Sequence, residues 1–153
     1  MYNAANHIQD YLAFGEFGGV NPSIEDSSTF TFLTSEKMAE IFSTEIEGCY
    51  LYSRHLNPTN KYLSDALALL EGTEDAQVTG SGMAAISCAI LGICACGDEI
   101  ISSHTLYGGT YALMRNFLPK LGITTKFVDI TNLESVRKNI TDKTKIIYCE
   151  TLS

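Results

Sequence analysis

Apolar positions from residue 57 onward recur first at the spacing of a helix and then in alternating helical and extended runs. In residues 57–72 they lie three and four positions apart, after an Asn-Pro start and before a glycine, which predicts a helix. Residues 83–95 are apolar on nearly every side of a helical projection. A helix of that composition is expected to be buried.

Short apolar runs bounded by turn residues predict the strands of a sheet. They lie at 76–79, 99–102, 125–129 and 145–149. Between the later strands, residues 108–121 form an amphipathic helical pattern that stops at Gly122, and Thr131 to Glu134 has the spacing of a capping box. Strands that alternate with helices favour right-handed crossovers and a mainly parallel sheet with flanking helices. The predicted fold class is therefore α/β.

Residues 1–48 differ from the rest of the chain, because turn formers interrupt them repeatedly. Residues 29–32 favour a short strand, and residues 35–42 favour one or two helical turns. We interpret residues 1–48 as an N-terminal arm that lies on another subunit, and residues 49–153 as the first part of a larger domain. The chain stops on a strand whose carboxyl end is the edge where α/β sheets bind ligands. We therefore expect the domain to be truncated.

Composition and charge exclude several classes of protein. With 45% hydrophobic and 18% charged residues, the chain has an ordinary globular composition. The net charge of −8 and the absence of clustered lysine and arginine argue against nucleic-acid binding. The longest apolar run, at 84–95, is too short to cross a membrane, and the N-terminus lacks a secretory signal.

The cysteines and histidines give no sign of a metal site. The five cysteines are odd in number and lie mostly in apolar stretches, which favours reduced, buried thiols and a cytoplasmic location. No cysteine or histidine stands at the spacing of a zinc site. We therefore expect no bound metal.

The junction Gly80-Ser81-Gly82 lies between a strand candidate and a predicted helix. Glycines allow backbone N–H groups to approach a ligand, and the N-terminus of a helix carries partial positive charge. The junction is therefore typical of a phosphate site. The same residues also suit close packing of a helix, or the pyrophosphate of a nucleotide-binding α/β domain.

Two other segments carry side chains suited to a phosphorylated ring. Tyr52 and Arg54 are two residues apart, so in an extended segment both point to one side, and the guanidinium group fits phosphate oxygens. Tyr107 precedes two glycines, where its ring could stack on a flat heterocycle and its hydroxyl could transfer a proton. On local sequence alone, a surface arginine and an ordinary aromatic residue at a helix start remain open.

Three patterns follow one another along the chain: Tyr-Ser-Arg-x-x-Asn-Pro-Thr at 52–59, Ser-Gly-Met-Ala-Ala-Ile at 81–86 and Leu-Tyr-Gly-Gly-Thr at 106–110. Together they resemble the cysteine/methionine metabolism family of pyridoxal-phosphate (PLP) enzymes. The likeness extends over residues 30–153. It implies a partial large domain of PLP fold-type I (aspartate aminotransferase-like). It also implies a lyase or transferase that acts at the γ- or β-carbon of a sulfur amino acid or an O-acylhomoserine.

The resemblance implies a role for each matching residue. The backbone N–H groups of Gly82 and Met83 would bind the PLP phosphate. Tyr107 would stack on the cofactor ring and act in proton transfer. Tyr52 and Arg54 would bind the phosphate in a neighbouring subunit, within a homo-oligomer built as a dimer of dimers.

Two positions and one missing residue also bear on the resemblance. Glu150 would support the site without touching the cofactor. Gly109 stands where methionine γ-lyases often carry cysteine, which leaves the sulfhydrylase and cystathionine activities open. No lysine of this chain lies in the Ser-x-Thr-Lys setting of the lysine that binds the cofactor covalently, so the chain alone is expected to be inactive. A non-catalytic subunit that assembles with a full-length partner remains an alternative.

Overall fold

The computed structural model describes residues 16–32, 34–43 and 49–152. Contacts divide the chain into two compact units, Met1–Val78 and Thr79–Ser153. The rest of the predicted arm, residues 1–15, 33 and 44–48, lies outside the described residues. The boundary at residue 48 between an arm and a larger domain stays a prediction.

The first unit contains the helices that the sequence predicts. A 3-10 turn at Glu16–Gly18 precedes α1 at Ser35–Ser43 and α2 at Pro58–Glu71. α2 begins after Asn57, whose side-chain oxygen accepts a hydrogen bond from the Thr59 N–H at 2.9 Å. It ends at Gly72, whose φ of 67° is a left-handed conformation that glycine adopts without strain.

Two runs that favour strands are not strands in the structure. Within residues 29–32, Thr29 forms a single antiparallel bridge with Tyr52. Residues 76–79 are irregular, and the Ala76 N–H is bonded to the Asp75 carboxylate at 2.8 Å instead of to a neighbouring strand. Both predictions are wrong because a β-prone run becomes a strand only where a second strand offers a partner.

The second unit alternates helices and strands. Its elements are α3 at Gly82–Ile93, β1 at Glu99–Ser103, α4 at Gly108–Ala112, β2 at Thr124–Val128, α5 at Leu133–Asn139 and β3 at Thr144–Tyr148. The strands form a parallel sheet in the order β2-β1-β3. β1 is thus paired on both sides, and the carboxyl ends of the strands lie at one edge of the sheet.

The helix predicted at 108–121 changes its hydrogen-bonding pattern along its length. α4 continues into a π-helical turn at Leu113–Phe117 and a 3-10 turn at Leu118–Leu121. Pro119 has no backbone N–H, so an α-helical pattern cannot pass through it unbroken. Gly122 then ends the run with a φ of 75°, as the sequence predicts.

The start of α5 differs from the capping box that the sequence predicts. The N-cap is Asn132, whose side-chain oxygen accepts hydrogen bonds from the N–H groups of Glu134 at 3.1 Å and Ser135 at 3.2 Å. The Thr131 hydroxyl instead donates to the Asp129 carboxylate at 2.6 Å. Asparagine is the better cap of the two, which moves the start of the helix by one residue.

Helices cover both faces of the sheet. Ile100 and Ile101 are neighbours in β1, so their side chains point to opposite faces, and both are fully buried. The Ile100 cluster includes Ile90 of α3 together with Met114 and Leu118. On the other face, Ile101 packs against Val128 and against Val136 of α5. The predicted parallel sheet with flanking helices is confirmed.

α3 is less buried than its composition predicts. Ile90 is buried, whereas Leu91 and Ile93 expose 43% and 60% of their surface. One side of α3 packs on the sheet and the other faces solvent, which accounts for the exposed apolar residues.

The prediction of buried thiols is also wrong for most of the cysteines. Cys94 is buried, Cys49 is half-buried, and Cys88, Cys96 and Cys149 are exposed. Within the described ranges, no helix is long and apolar enough to cross a bilayer.

Candidate functional site

A cleft of about 530 Å³ lies at the carboxyl edge of the sheet in the second unit. Its lining comes from the start of α3, the segment between β1 and α4, and the end of β3, and it includes Gly82, Met83, Tyr107, Thr110, Tyr148 and Glu150. Gly82, Met83 and Tyr107, which the sequence predicts as site residues, therefore surround one cleft. This is the edge at which ligands bind in α/β sheets.

The start of α3 leaves backbone donors available to a ligand. The Ser81 side chain caps the helix by accepting a hydrogen bond from the Ala84 N–H at 3.1 Å. Among the described residues, the N–H groups of Gly82 and Met83 have no acceptor. A Cβ at Gly82 would meet nothing within 4 Å. The first turn of α3 therefore faces open space and offers the donors and partial positive charge that bind an anion.

Tyr107 occupies the N-cap position of α4, directly beside that turn. The residue is 62% exposed. A Cβ at Gly109 would lie 2.5 Å from Tyr107 Cε1 and 3.1 Å from Met83 Sδ. The ring and the methionine sulfur thus share the space that the missing side chain of Gly109 leaves free.

Glu150 connects the end of β3 to the start of α4. Its Oε2 accepts a hydrogen bond from the Tyr107 N–H at 2.6 Å. Its Oε1 accepts from the Thr110 hydroxyl at 2.9 Å and from the Tyr148 hydroxyl at 3.0 Å. Both carboxylate oxygens are therefore engaged. Sequence reasoning did not identify Thr110 or Tyr148 as site residues. The contact of Thr110 with Glu150 joins residues 40 positions apart and exists only once β3 pairs with β1, whereas Tyr148 lies two residues before Glu150.

These contacts shift the titration of two groups. The pKa of Glu150 is lowered, mainly by the Tyr107 N–H. Burial opposes this as the second-largest effect, and the hydroxyls of Thr110 and Tyr148 each lower the pKa by less. Burial raises the pKa of Tyr148, and its hydrogen bond to Glu150 raises it further. At neutral pH, Glu150 is a carboxylate and Tyr148 is a neutral donor.

In the first unit, Tyr52 and Arg54 lie in a tight turn instead of the extended segment that the sequence predicts. The N–H groups of His55 and Leu56 both donate to the Tyr52 carbonyl, at 2.9 and 3.1 Å. The turn places the Arg54 guanidinium carbon 5.4 Å from the centre of the Tyr52 ring, within cation–π distance. Both residues line an apolar hollow of about 630 Å³ in this unit.

The polar residues of the motif at 52–59 form hydrogen bonds between this turn and an earlier segment of the chain, residues 25–28. The Ser53 N–H donates to the Ser28 carbonyl at 3.0 Å. Asn57 Nδ2 donates to the Glu25 carbonyl at 3.2 Å, and the Glu25 N–H donates to the Thr59 hydroxyl at 2.8 Å. Sequence reasoning missed this structural role. The available signal was the polar character of Ser53, Asn57 and Thr59 around Arg54 and the start of α2.

All of the lysines belong to the described part of the chain, and none of those in the second unit lines the cleft. Lys126 pairs with Glu99 at 2.7 Å, and Lys37 pairs with Glu40 at 2.6 Å. The same described ranges contain no group of three or more histidine, cysteine or acidic residues arranged to hold a metal ion.

Known proteins resemble this chain along nearly its whole length. Residues 6–153 match the family described as Cys/Met metabolism PLP-dependent enzyme. A methionine γ-lyase of Arabidopsis thaliana is 46% identical over 145 residues, which cover 92% of this chain and 33% of that protein. An O-acetyl-L-homoserine sulfhydrylase of Leptospira meyeri is 40% identical over 126 residues, covering 82% of this chain and 28% of that protein. The chain thus spans about a third of the length of the curated relatives it matches.

Solved structures of the same kind share the fold. An O-acetylhomoserine (thiol)-lyase of Campylobacter jejuni, which carries a pyridoxyl-lysine phosphate, matches with a TM-score of 0.91 and 31% identity over 100% of this chain and 38% of its own. A cystathionine γ-lyase of Lactobacillus plantarum matches with a TM-score of 0.82 and 30% identity over 97% of this chain and 36% of its own. The predicted partial PLP fold-type I domain is confirmed.

The comparisons also decide between the alternatives for the glycine-rich junction. They favour a PLP enzyme over a nucleotide-binding domain, because the family match includes the junction and both flanking patterns. The cofactor expected from the sequence is the cofactor of this family. The chain belongs to the cysteine/methionine metabolism family of PLP-dependent enzymes.

Proposed function

We propose that this chain contributes phosphate- and ring-binding residues to a PLP-dependent enzyme that acts at the γ- or β-carbon of a sulfur amino acid or an O-acylhomoserine. The observation that carries the proposal is the convergence of Gly82, Met83 and Tyr107 on one cleft at the carboxyl edge of the sheet. The activities named for the relatives, methionine γ-lyase and O-acetyl-L-homoserine sulfhydrylase, support this class of amino-acid substrate.

The residues of the cleft fit the cofactor. The available N–H groups at the start of α3 suit a phosphate, and the open space beside Gly82 admits one. The exposed ring of Tyr107 offers a flat surface for an aromatic heterocycle. PLP, when bound, supplies an electron sink for the reacting carbon of the substrate.

Each protein group has a separate task in this proposal. The N–H groups of Gly82 and Met83 bind the phosphate. Tyr107 orients the ring and holds or transfers a proton at its hydroxyl. Tyr52 and Arg54 bind the phosphate of a neighbouring subunit, which requires at least a dimer. We propose a dimer of dimers in the cytoplasm.

A pair of variants at Gly82 tests the phosphate site. Gly82 is the first helical residue, where proline fits, and Ser81 before it is extended, with φ −166° and ψ 161°. Gly82→Pro therefore removes one N–H group while α3 keeps its start. Gly82→Ala adds a Cβ into open space and keeps the donor.

We expect Gly82→Pro to weaken PLP binding by about tenfold, the loss of one hydrogen bond to a charged group, and Gly82→Ala to change it less than about threefold. The measurement is PLP retention by absorbance after dialysis of the protein expressed from its complete reading frame. Equal PLP retention by the two variants would show that the Gly82 N–H group does not bind the phosphate.

Mixed subunits test whether Arg54 serves a neighbouring site. Arg54→Ala and Tyr107→Phe are each expected to lower the release of 2-oxo acid from methionine or cystathionine. A dimer with one subunit of each kind contains one site with both native residues if Arg54 acts across the interface. Random mixing should then restore about a quarter of the native activity. Absence of any recovery in proven mixed oligomers would place both residues in one chain's site.

A further inference from the structure

The side chain of Glu150 links the end of β3 to the start of α4 through bonds to Tyr107 and Thr110. We propose that Glu150 is a positioning residue that fixes Tyr107 at the mouth of the cleft, an inference that rests on the function proposed above for Tyr107. Its carboxylate does so by holding the backbone from which the Tyr107 ring projects.

The start of α4 needs an acceptor from elsewhere in the fold. Tyr107 occupies the N-cap position, and it provides no side-chain cap to the helix. Backbone N–H groups at a helix start have no partner within the helix. Glu150 supplies an acceptor to the Tyr107 N–H at 2.6 Å. A carboxylate acceptor makes this bond stronger than a bond between neutral groups.

The carboxylate is itself held in one orientation. Thr110 is fully buried, and its hydroxyl donates to Oε1 at 2.9 Å. The Tyr148 hydroxyl donates to the same oxygen at 3.0 Å. Oε2 cannot turn away from Tyr107 without disturbing both of these bonds. The lowered pKa of Glu150, caused first by the Tyr107 N–H, keeps the group ionised at neutral pH.

Packing alone does little to restrain the Tyr107 ring. Tyr107 is 62% exposed as a residue, and the space at Gly109 that its ring shares with the Met83 sulfur contains no side chain of Gly109. The position of the backbone therefore largely determines where the ring lies. A shift of the reacting groups by about 1 Å can cost roughly a hundredfold in rate, so a fixed backbone has a direct functional value.

The first test uses the protein without cofactor and follows the Tyr107 amide proton by NMR. In the native protein, the bond to a carboxylate should place this proton at low field. Glu150→Ala should move it upfield more than any amide outside residues 103–112. Glu150→Gln should restore most of the shift, because its amide oxygen can accept from Tyr107 while the hydroxyls of Thr110 and Tyr148 accept from its NH₂ group.

The second test uses the cofactor-loaded enzyme from the complete reading frame. Glu150→Ala should lower kcat by roughly ten- to a hundredfold and change KM by less than about threefold, because it misplaces Tyr107 without removing substrate contacts. Glu150→Gln should recover most of kcat. Glu99→Ala is the matched control, since it removes a carboxylate that bonds Lys126 and Thr141 at the opposite, amino edge of the same sheet. It should lower Tm with a loss in kcat of less than about threefold.

The outcomes separate this inference from the proposed function. An unchanged Tyr107 amide shift in Glu150→Ala overturns the inference. Equal losses in kcat for Glu150→Ala and Glu99→Ala, at equal losses in Tm, would also overturn it, because they would show a general effect on stability. If the native protein binds no PLP, the proposed function fails, and the amide shift still decides whether Glu150 holds Tyr107.

Discussion

Gly109 controls the space in which Tyr107 lies. A Cβ at this position would meet Tyr107 Cε1 at 2.5 Å and Met83 Sδ at 3.1 Å. We expect Gly109→Ala to displace the ring. Because the ring is exposed, the free energy of unfolding should change by less than about 0.5 kcal/mol. The measurement is the NOE between a labelled Tyr107 ring and the Met83 methyl group, which should weaken.

Gly108→Ala is the matched control for this change. A Cβ at Gly108 would meet nothing within 4 Å, so the NOE should stay as in the native protein. An NOE that persists unchanged in Gly109→Ala would contradict the expected displacement. The absence of a side chain at Gly109 thus has a measurable consequence for a residue of the cleft.

At the scale of single residues, the sequence predicts the site residues whose role depends on their neighbours along the chain. Gly82, Met83 and Tyr107 each stand where an irregular segment or a strand gives way to a helix, and that junction is visible in the sequence. The contact between Glu150 and Tyr107 joins residues 43 positions apart. It depends on the pairing of β3 with β1, so no local pattern could have predicted it.

At the scale of elements, the stability of α2 depends on its cap. Asn57 is 6% exposed and bonds Thr59, Ser53 and the Glu25 carbonyl. We expect Asn57→Ala to lower the free energy of unfolding by about 1–2 kcal/mol through loss of the cap, measured by urea denaturation. Asn60→Ala, at an exposed position of the same helix, should change it by less than about 0.5 kcal/mol. Equal effects of the two changes would contradict the capping role.

A second carboxylate ties the sheet together at its amino edge. Glu99 of β1 accepts hydrogen bonds from Lys126 of β2 at 2.7 Å and from the hydroxyl of Thr141, before β3, at 2.6 Å. The bond from Lys126 is the main cause that lowers the pKa of Glu99 from its usual 4.5. A lowered folded-state pKa stabilises the protein above the unfolded pKa, and this contribution is lost as the pH falls through the folded value.

The stability of Glu99→Gln should therefore depend less on pH than that of the native protein. Between about pH 5 and pH 3, its free energy of unfolding should fall less steeply in denaturation curves. Glu134→Gln is the control, because it changes an exposed pair with Arg137 at 3.3 Å, and it should keep the native slope. If the free energy of unfolding of Glu99→Gln fell with pH as steeply as that of the native protein, the Glu99–Lys126 pair would not make this contribution.

The elements themselves were predicted where the chain carries its own signals and missed where a partner was needed. The limits of α2 follow from Asn57 and Gly72, which act on neighbouring backbone. The strand candidate at 76–79 fails because the described structure gives it no strand to pair with. The change of hydrogen-bonding pattern in the helix after β1 could be anticipated from Pro119. Its π-helical turn depends on packing against β1 and β2, and that packing cannot be read from the sequence.

At the scale of the whole molecule, the exposed apolar residues of α3 favour association. Leu91 and Ile93 expose 43% and 60% of their surface, and such groups gain about 25 cal/mol for each Å² removed from water. We expect Leu91→Lys with Ile93→Lys to increase the solubility of the 153-residue chain and to lower its binding of a hydrophobic dye.

Asp142→Lys is the control for charge, because it also raises the net charge by two, at an exposed position outside α3. It should leave dye binding at the native level. If it reduced dye binding as much as the α3 changes, net charge and not the apolar side of α3 would control association.

The central place of β1 has a consequence for the order in which the second unit opens. β1 is hydrogen-bonded to β2 and β3, and Ile100 and Ile101 are fully buried on its two faces. Amide hydrogen exchange should therefore be slowest in β1, since its exchange requires the opening of the whole sheet. The segment that carries Tyr107 begins where β1 ends. Fluctuations that detach α5 or fray β2 can thus occur while the mouth of the cleft keeps its shape.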